Sequence, residues 1–356
     1  MLENYFLEIA AFFSGAVLIS WLINRLLLKF SRNLGIRNKN DVVVRWSNES
    51  KPSLGGISMY ITFMITTVFY ASYHQGDSIF NNTQFIGLML ASAVAFGIGL
   101  ADDAYNTKPL LKLSGQLLCG IIVAGSGSVI QLFHHETVDL IITVVWIVIV
   151  MNSLNMLDNM DGITATVALF ILLACMFMIL MVANYQFSFW VIILVAEIGA
   201  IVGFLFYNVN PSRMFMGDTG SQFIGLYVGF FAIQGLWNVP AEVEVSSWSG
   251  LLLALVAFAP AAADTLTVVI NRLKRGVSPM VGGKDHTTHH LVYRGFSDLR
   301  VWLVFLMISA ASLLLTILLG RWILMGEVSI TWLGLVFFLL VFLSLYWNTM
   351  KYKPRG

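Results

Sequence analysis

The sequence predicts an all-α polytopic membrane protein with about eleven transmembrane helices, and three observations predict it. Hydrophobic residues make up 58% of the 356-residue chain and charged residues only 11%, where a soluble chain carries about a quarter charged residues. Apolar runs long enough to cross a hydrocarbon core, which takes about 20 residues, recur from end to end. Nearly all Lys and Arg fall in alternate connections between those runs. The chain reads as one integral-membrane unit over 1–356, without an internal repeat, low-complexity tract or soluble domain. The net charge of +1 gives no electrostatic case for nucleic acid. Cys119 and Cys175 lie in apolar runs and read as small buried residues.

The runs are taken in order. The first, near 6–28, is flanked by Glu3 and Glu8 before it and by Arg25, Lys29 and Arg32 towards its end. A secretory signal has its basic residues first and a shorter apolar core, so this run is a retained span. The others lie near 57–69, 85–101, 111–129, 140–157, 163–182, 187–206, 221–237, 251–270, 302–319 and 330–347. The second and eighth are short, which suggests that one of them is broken or tilted. The ninth contains Pro260, which frees a backbone carbonyl and bends a helix.

Orientation follows from the basic residues. Of the 20 Lys and Arg, only Arg321 falls outside the odd-numbered connections and the C-terminus. This places those connections and the C-terminus in the cytoplasm and the N-terminus outside. Trp237, Trp248, Trp322 and Trp332 flank spans at the opposite interface, as an aromatic belt does. The same numbering gathers the polar chemistry into cytoplasmic loops, where an active site is expected.

Asp102-Asp103 ends a span. Adjacent carboxylates repel near a membrane, and a cation relieves them, although a solvated cap explains them equally. Asp158 and Asp161 share a helical spacing with Asn152 and Asn155, while Asp161 before Gly162 also suits a helix cap. Met216 to Ser221 reads MGDTGS at the start of a span; its glycines and amide-rich helix start suit an anion, and Asp218 suits a metal bridging to phosphate. His286, His289 and His290 stand among Lys284, Arg272, Arg275 and Arg294. No Cys or suitably spaced Glu accompanies them, so phosphate is a better partner than zinc. His134-His135 has no acidic neighbours of that kind and reads as an interfacial polar pair. Glu197, deep in a span, is assigned no function. Together the loops point to metal-assisted phosphoryl transfer at the membrane surface.

These motifs resemble those of the polyprenyl-phosphate N-acetylhexosamine-1-phosphate transferases, glycosyltransferase family 4, from Lys51 to about Ser297. Lys51-Pro52-Ser53-Leu54-Gly55-Gly56 resembles the basic-Pro-x-x-Gly-Gly element. Asp102-Asp103 with Pro109, Lys112 and Gln116 resembles the aspartate-pair loop. Asn152, Asn155, Asp158, Asp161 and Gly162 resemble the Asn-x-x-Asn-x-x-Asp-x-x-Asp-Gly run, with Asn159 where many relatives carry Gly. Asn208, Pro211, Arg213 and Phe215 to Ser221 resemble the loop ending Gly-Asp-x-Gly-Ser. The histidine loop from Gly283 resembles the sugar-phosphate branch more than the muramoyl-pentapeptide branch.

The resemblance implies transfer of a sugar-1-phosphate, GlcNAc-1-phosphate first among the choices, from a UDP-N-acetylhexosamine to undecaprenyl phosphate in the bacterial inner membrane. The products are undecaprenyl-diphospho-sugar and UMP, Mg²⁺ or Mn²⁺ is required, and the reaction initiates cell-envelope polysaccharide such as the O-antigen of lipopolysaccharide. It implies Asp218 as the best metal ligand, with Asp102 and Asp103 handling the lipid phosphate or assisting the metal. Asn155, Asp158, Asp161 and Asn208 would line the nucleotide and metal pocket, with Asp158 and Asp161 counted with Asp102, Asp103 and Asp218 as catalytic acids; Asn152 and Arg213 would bind substrate, and Lys51, Lys112, His286, His289 and His290 would neutralise phosphates. The lipid phosphate is largely dianionic at pH 7, which favours direct attack over a covalent aspartyl-phosphate. Pro260 and Asp264 also resemble a family element with a structural or pocket role. Homodimerisation is left open, and a lipid or nucleotide-sugar transporter is the rival reading.

Overall fold

The computed structural model describes residues 2–31, 51–74, 79–184, 186, 188–279 and 282–353. Five basic residues of the orientation argument, Arg32, Arg37, Lys39, Arg45 and Arg355, lie outside the described residues, as does the start of the seventh run at residue 187.

Every apolar run becomes a helix. The first three are α1 (Leu2–Ser31), α2 (Gly55–Tyr73) and α3 (Thr83–Tyr105), followed by α4 (Pro109–Gly125) and α5 (Glu136–Leu157). Then come α6 (Ile163–Val182), α7 (Phe189–Asn208) and α8 (Gly217–Ala232). The chain ends with α9 (Trp248–Ala257), α10 (Ala259–Lys274), α11 (Thr287–Tyr293), α12 (Asp298–Leu324) and α13 (Trp332–Lys351). The described residues contain no β-strand, only an isolated bridge between Ser53 and Phe215. Among them nine helices are long and apolar enough to span a membrane, or ten if α9 and α10 count as one span. The expected eleven includes α4, which at 17 residues is shorter than those spans. This is a multi-pass, all-helical membrane protein.

Neither of the two short runs, read as broken or tilted, ends in a sharp bend. The eighth continues past α8 through one π turn, Ile233–Trp237, into Val239–Val243, and makes a span of 27 residues. The ninth run instead folds as α9 and α10, bent by 84° at Phe258. Pro260 has no N–H for the carbonyl of Val256, and its ring crowds that turn, so the helix restarts rather than continues. The bend carries the C-terminal half of this run, with Asp264 and Arg272, towards α5 and α13.

The hub of the fold is α8. In its most apolar stretch 89% of residues are buried within the protein, against 17% for α1. Helices α2, α3, α5 and α6 pack around it, and two glycines let them come close. A Cβ on Gly56 would lie 2.1 Å from the Gly220 amide nitrogen, and one on Gly99 would lie 2.4 Å from the Asp218 carbonyl oxygen. Backbone therefore meets backbone at the start of α8. The segment before α2 is laced to the segment before α8: Phe215 N–H donates to Pro52 O (3.0 Å), Gly55 N–H to Phe215 O (3.1 Å) and Gly56 N–H to Met216 O (3.0 Å).

Candidate active site

The polar helix ends converge on one cavity of about 920 Å³. It is lined by Lys51, Asp102, Asp103, Lys112, Asn152, Asn155, Asp158, Asp161, Asn208, Asp218, His286 and His289, residues drawn from nearly the whole length of the chain. Arg213 and His290 do not line it. In the bend after α7, Ser212 and Met214 are buried while Arg213 between them is exposed, its amide donating to Tyr207 O (2.7 Å). The His290 imidazole hydrogen-bonds to the Tyr352 carbonyl and packs on the Tyr293 ring, docking α11 onto the end of α13.

The densest part of the cavity joins the end of α3, the start of α4, the end of α5 and the start of α8. Lys112 Nζ donates to Asp218 Oδ1 (2.6 Å), Asp102 Oδ2 (2.9 Å) and Asn155 Oδ1 (3.1 Å). Asn155 Nδ2 donates to Asp218 Oδ1 (2.5 Å) and to Ser221 Oγ (2.9 Å). Asp102 is saturated, because its other oxygen accepts from the Thr107 amide (2.8 Å) and hydroxyl (2.6 Å). Asp103 caps α8 by accepting from the Thr219 amide (2.8 Å) and hydroxyl (2.7 Å). A carboxylate there is favoured by the free amides and dipole of the helix start. Gly217, at φ +77°, makes the turn into α8; a Cβ there would lie 2.7 Å from Asp103 Oδ2. The Asp218 side chain is 34% exposed and Asp102 only 11%, so Asp218 is the more open of the two acids.

A second group joins the turn before α6 to the loop before α8. Asp161 Oδ2 accepts from the Ser212 amide (3.2 Å) and Asn210 Nδ2 (3.3 Å), with Lys51 Nζ at 3.7 Å. Lys51 also donates to Ser212 Oγ (3.2 Å) and lies over the Phe215 ring. Asn208 is a brace: it accepts from the Gly162 amide (3.1 Å) and donates to Met214 O (2.9 Å). Asn159 Oδ1 accepts from the Thr288 hydroxyl (2.6 Å), which ties this turn to α11 and gives the side chain at position 159 a concrete use.

The third group is the histidine loop. Buried Asp264 pairs with His286 Nδ1 (2.8 Å) and accepts from the Thr287 amide (2.8 Å) and hydroxyl (2.6 Å). Asp264 therefore anchors α11 and does not line the cavity. The basic residues near the histidines are largely spent on Asp285. Arg272 grips it through Nε (3.1 Å) and Nη2 (2.7 Å), Arg275 also bonds to it, and Arg294 lies over the Phe296 and Tyr352 rings. Burial alone would raise the Asp285 carboxyl; the hydrogen bonds from Arg272 and Arg275 outweigh that and hold it at about 2. Burial first, and then the neighbouring His286, push the His289 imidazole down to about 3, so it is neutral at pH 7. Burial also lowers His290.

Asp103 and Asp218 offer hard oxygen donors on either side of Gly217. No group of three or more His, Cys, Asp or Glu side chains converges into a metal cage among the described residues. A closed zinc site does not fit this arrangement. Mg²⁺, which takes one or two carboxylates and completes its shell with phosphate and water, does.

Sequence reasoning missed Thr107 and Thr219, whose amides and hydroxyls hold the aspartate pair, and no spacing rule flags them. It also missed Gln222, although its place one turn after Asp218 on the same helix is a signal.

A glycosyl transferase family 4 model matches residues 85–236, which include the aspartate pair, the Asn/Asp run and Asp218. The chain is 26% identical over 290 residues to decaprenyl-phosphate N-acetylglucosaminephosphotransferase of Mycolicibacterium smegmatis, covering 73% of this chain and 71% of that one. It is 24% identical over 323 residues to the probable undecaprenyl-phosphate N-acetylglucosaminyl 1-phosphate transferase of Bacillus subtilis, covering 85% and 83%. It is 29% identical over 340 residues to the phospho-N-acetylmuramoyl-pentapeptide-transferase of Bacillus mycoides, covering 86% and 96%. The motifs, the helical fold and these similarities agree: residues 85–236 match glycosyl transferase family 4, and the chain is similar over most of its length to polyprenyl-phosphate sugar-1-phosphate transferases.

Proposed function

We propose that this protein transfers GlcNAc-1-phosphate from UDP-GlcNAc to undecaprenyl phosphate, giving undecaprenyl-diphospho-GlcNAc and UMP, and so initiates a cell-envelope polysaccharide. The reaction is placed at the cytoplasmic face of the bacterial inner membrane. The observation that carries this reading is the Lys112–Asp218–Asn155 cluster, with Asp103 beside it, at the wall of a cavity that also reaches Lys51 and the histidines. Two anionic substrates need cations to approach each other, and acids at one wall need a divalent ion to face phosphate. Leu113, Val148 and Ile149 give the cavity an apolar wall against which a polyprenyl chain lies.

The chemistry follows from charge. A lipid phosphate oxygen, largely dianionic at pH 7, attacks the β-phosphorus of the nucleotide sugar. A new P–O bond forms as the bond to the oxygen bridging the α- and β-phosphorus breaks, and UMP leaves with that electron pair. No protein base is required. Lys112 lies beside Asp218, where it neutralises phosphate charge, and Lys51 does the same at the far side of the cavity. Asp218, with Asp103, would hold Mg²⁺ (or Mn²⁺), which when bound supplies charge neutralisation at the diphosphate. Asp102, its oxygens engaged by Thr107 and Lys112, orients Lys112 from the cavity wall.

The test is UMP release from UDP-GlcNAc by detergent-purified protein, with polyprenyl phosphate and Mg²⁺ each omitted in turn. Release that needs neither addition refutes the reading. The muramoyl-pentapeptide relative matches over a larger share of both chains than the M. smegmatis one, so UDP-N-acetylmuramoyl-pentapeptide is the second donor to assay. Turnover with that donor alone would move the protein to the muramoyl branch.

A further inference from the structure

Directly along the helices from the charged cluster lies a second, uncharged layer. Asn152 Nδ2 donates to Gln116 Oε1 (2.7 Å), and Gln116 Nε2 donates to Gln222 Oε1 (2.9 Å) and to Asn152 Oδ1 (3.3 Å). Gln116 and Gln222 are almost wholly buried, at 1% and 0% exposure. The two layers are in register. Gln116 follows Lys112 by one turn on α4, Asn152 precedes Asn155 by one turn on α5, and Gln222 follows Asp218 by one turn on α8.

We infer that the amide layer Gln116–Asn152–Gln222, buried at both glutamines and reaching the cavity wall at Asn152, is a positioning device that fixes α4, α5 and α8 in the register at which Lys112, Asn155 and Asp218 meet. Three physical points support it. Each amide offers both donors and an acceptor, so three of them can link three helices without burying a charge. Sliding α4 by a turn, about 5.4 Å, would break every one of these pairings and separate Lys112 from Asp218, and sliding α5 or α8 would break the pairing that helix makes. Stability alone does not explain the layer, because Gln222 Nε2 finds no hydrogen-bond acceptor among the described residues. A buried orphan donor costs free energy, and an apolar side chain of similar shape would avoid that cost. Simple polar adhesion between spans would not require the one-turn register with the charged cluster on all three helices.

The meaning of an activity change here rests on the transferase reading above; the positioning itself does not, and the experiment separates the two. Gln222→Met keeps the volume and removes the acceptor for Gln116. Full-length protein in detergent is treated with a small amine-acylating reagent, and labelling of Lys112 is read by mass spectrometry against exposed Lys108. Lys112 labels slowly while it is held by Asp218, Asp102 and Asn155. In Gln222→Met its rate relative to Lys108 rises about fivefold, and kcat falls about tenfold with KM for the nucleotide sugar unchanged. Should wild-type protein release no UMP while the labelling change still appears, the transferase reading fails and the positioning inference stands. A Gln222→Met protein that melts like wild type with unchanged Lys112 labelling overturns the inference. If that variant does not fold, Gln116→Met is read by the same labelling, and an unchanged Lys112 rate there overturns it equally.

Discussion

Asp102 and Asp218 both touch Lys112, yet the geometry gives them different tasks, and replacing each by asparagine separates them. In Asp102→Asn the amide oxygen still accepts from the Thr107 amide and hydroxyl, so the α3–α4 turn survives. The amide nitrogen then faces Lys112 Nζ, which loses one charge-assisted hydrogen bond now at 2.9 Å. Such a bond contributes about 1.5–3 kcal/mol, and Lys112 keeps its 2.6 Å contact to Asp218. The expected cost is about 1.5–2 kcal/mol in the transition state, or roughly 10- to 30-fold in kcat. Asp218→Asn removes the most open carboxylate of the cluster; there UMP release should fall by on the order of a thousandfold or more, with Mg²⁺ dependence weakened. The assay is UMP release in detergent across a Mg²⁺ titration, with thermal melting to establish that both variants fold. An Asp102→Asn loss as deep as that of Asp218→Asn, in folded protein, would refute the positioning role and put Asp102 in contact with the reacting groups.

Other expectations concern stability. His289 is held near 3 and unfolded histidine titrates near 6.5, so its contribution is present above pH 6.5 and is lost as pH falls towards 3, by on the order of 5 kcal/mol in all. Melting at pH 8, 6 and 4.5 should show this loss, and His289→Gln should flatten it. Asp285→Asn removes the carboxylate partner of Arg272, which is 4% exposed and keeps Pro279 O (2.8 Å) and one amide oxygen as acceptors, at a cost of about 1.5–3 kcal/mol to the loop; limited proteolysis near residues 276–286 should accelerate before global melting changes. Gly99→Ala drives a methyl to within 2.4 Å of the Asp218 carbonyl and should cost about 1–3 kcal/mol together with activity, whereas Gly97→Ala meets nothing within 4 Å and should be silent. Equal melting temperatures for the two alanine variants would show that α3 and α8 do not meet as described.

Spans were legible because a hydrocarbon environment tolerates only long apolar helices, and the polar motifs were legible because they interrupt those helices. The bend at Pro260 was legible from its missing N–H. The same sequence argument grouped Arg213 and His290 with the substrate residues and surrounded the histidines with free cations. Both readings depended on where a side chain points, and adjacency in the chain does not report that. Arg213 is exposed at a bend between buried Ser212 and Met214, His290 is drawn to the Tyr352 carbonyl, and Asp285 takes up Arg272 and Arg275.

By itself the sequence determined the helices, their approximate ends and the list of polar residues at those ends, because these depend on local composition and on the cost of polar groups in lipid. Only the tertiary structure decided the partnerships: Lys112 with an acid ten residues away and another 106 residues away, Asp264 beneath His286, and the amide layer across three helices. Hydrogen bonds and ion pairs act over about 3 Å, so the chemistry of each group is set by whichever helix end packing brings within that reach.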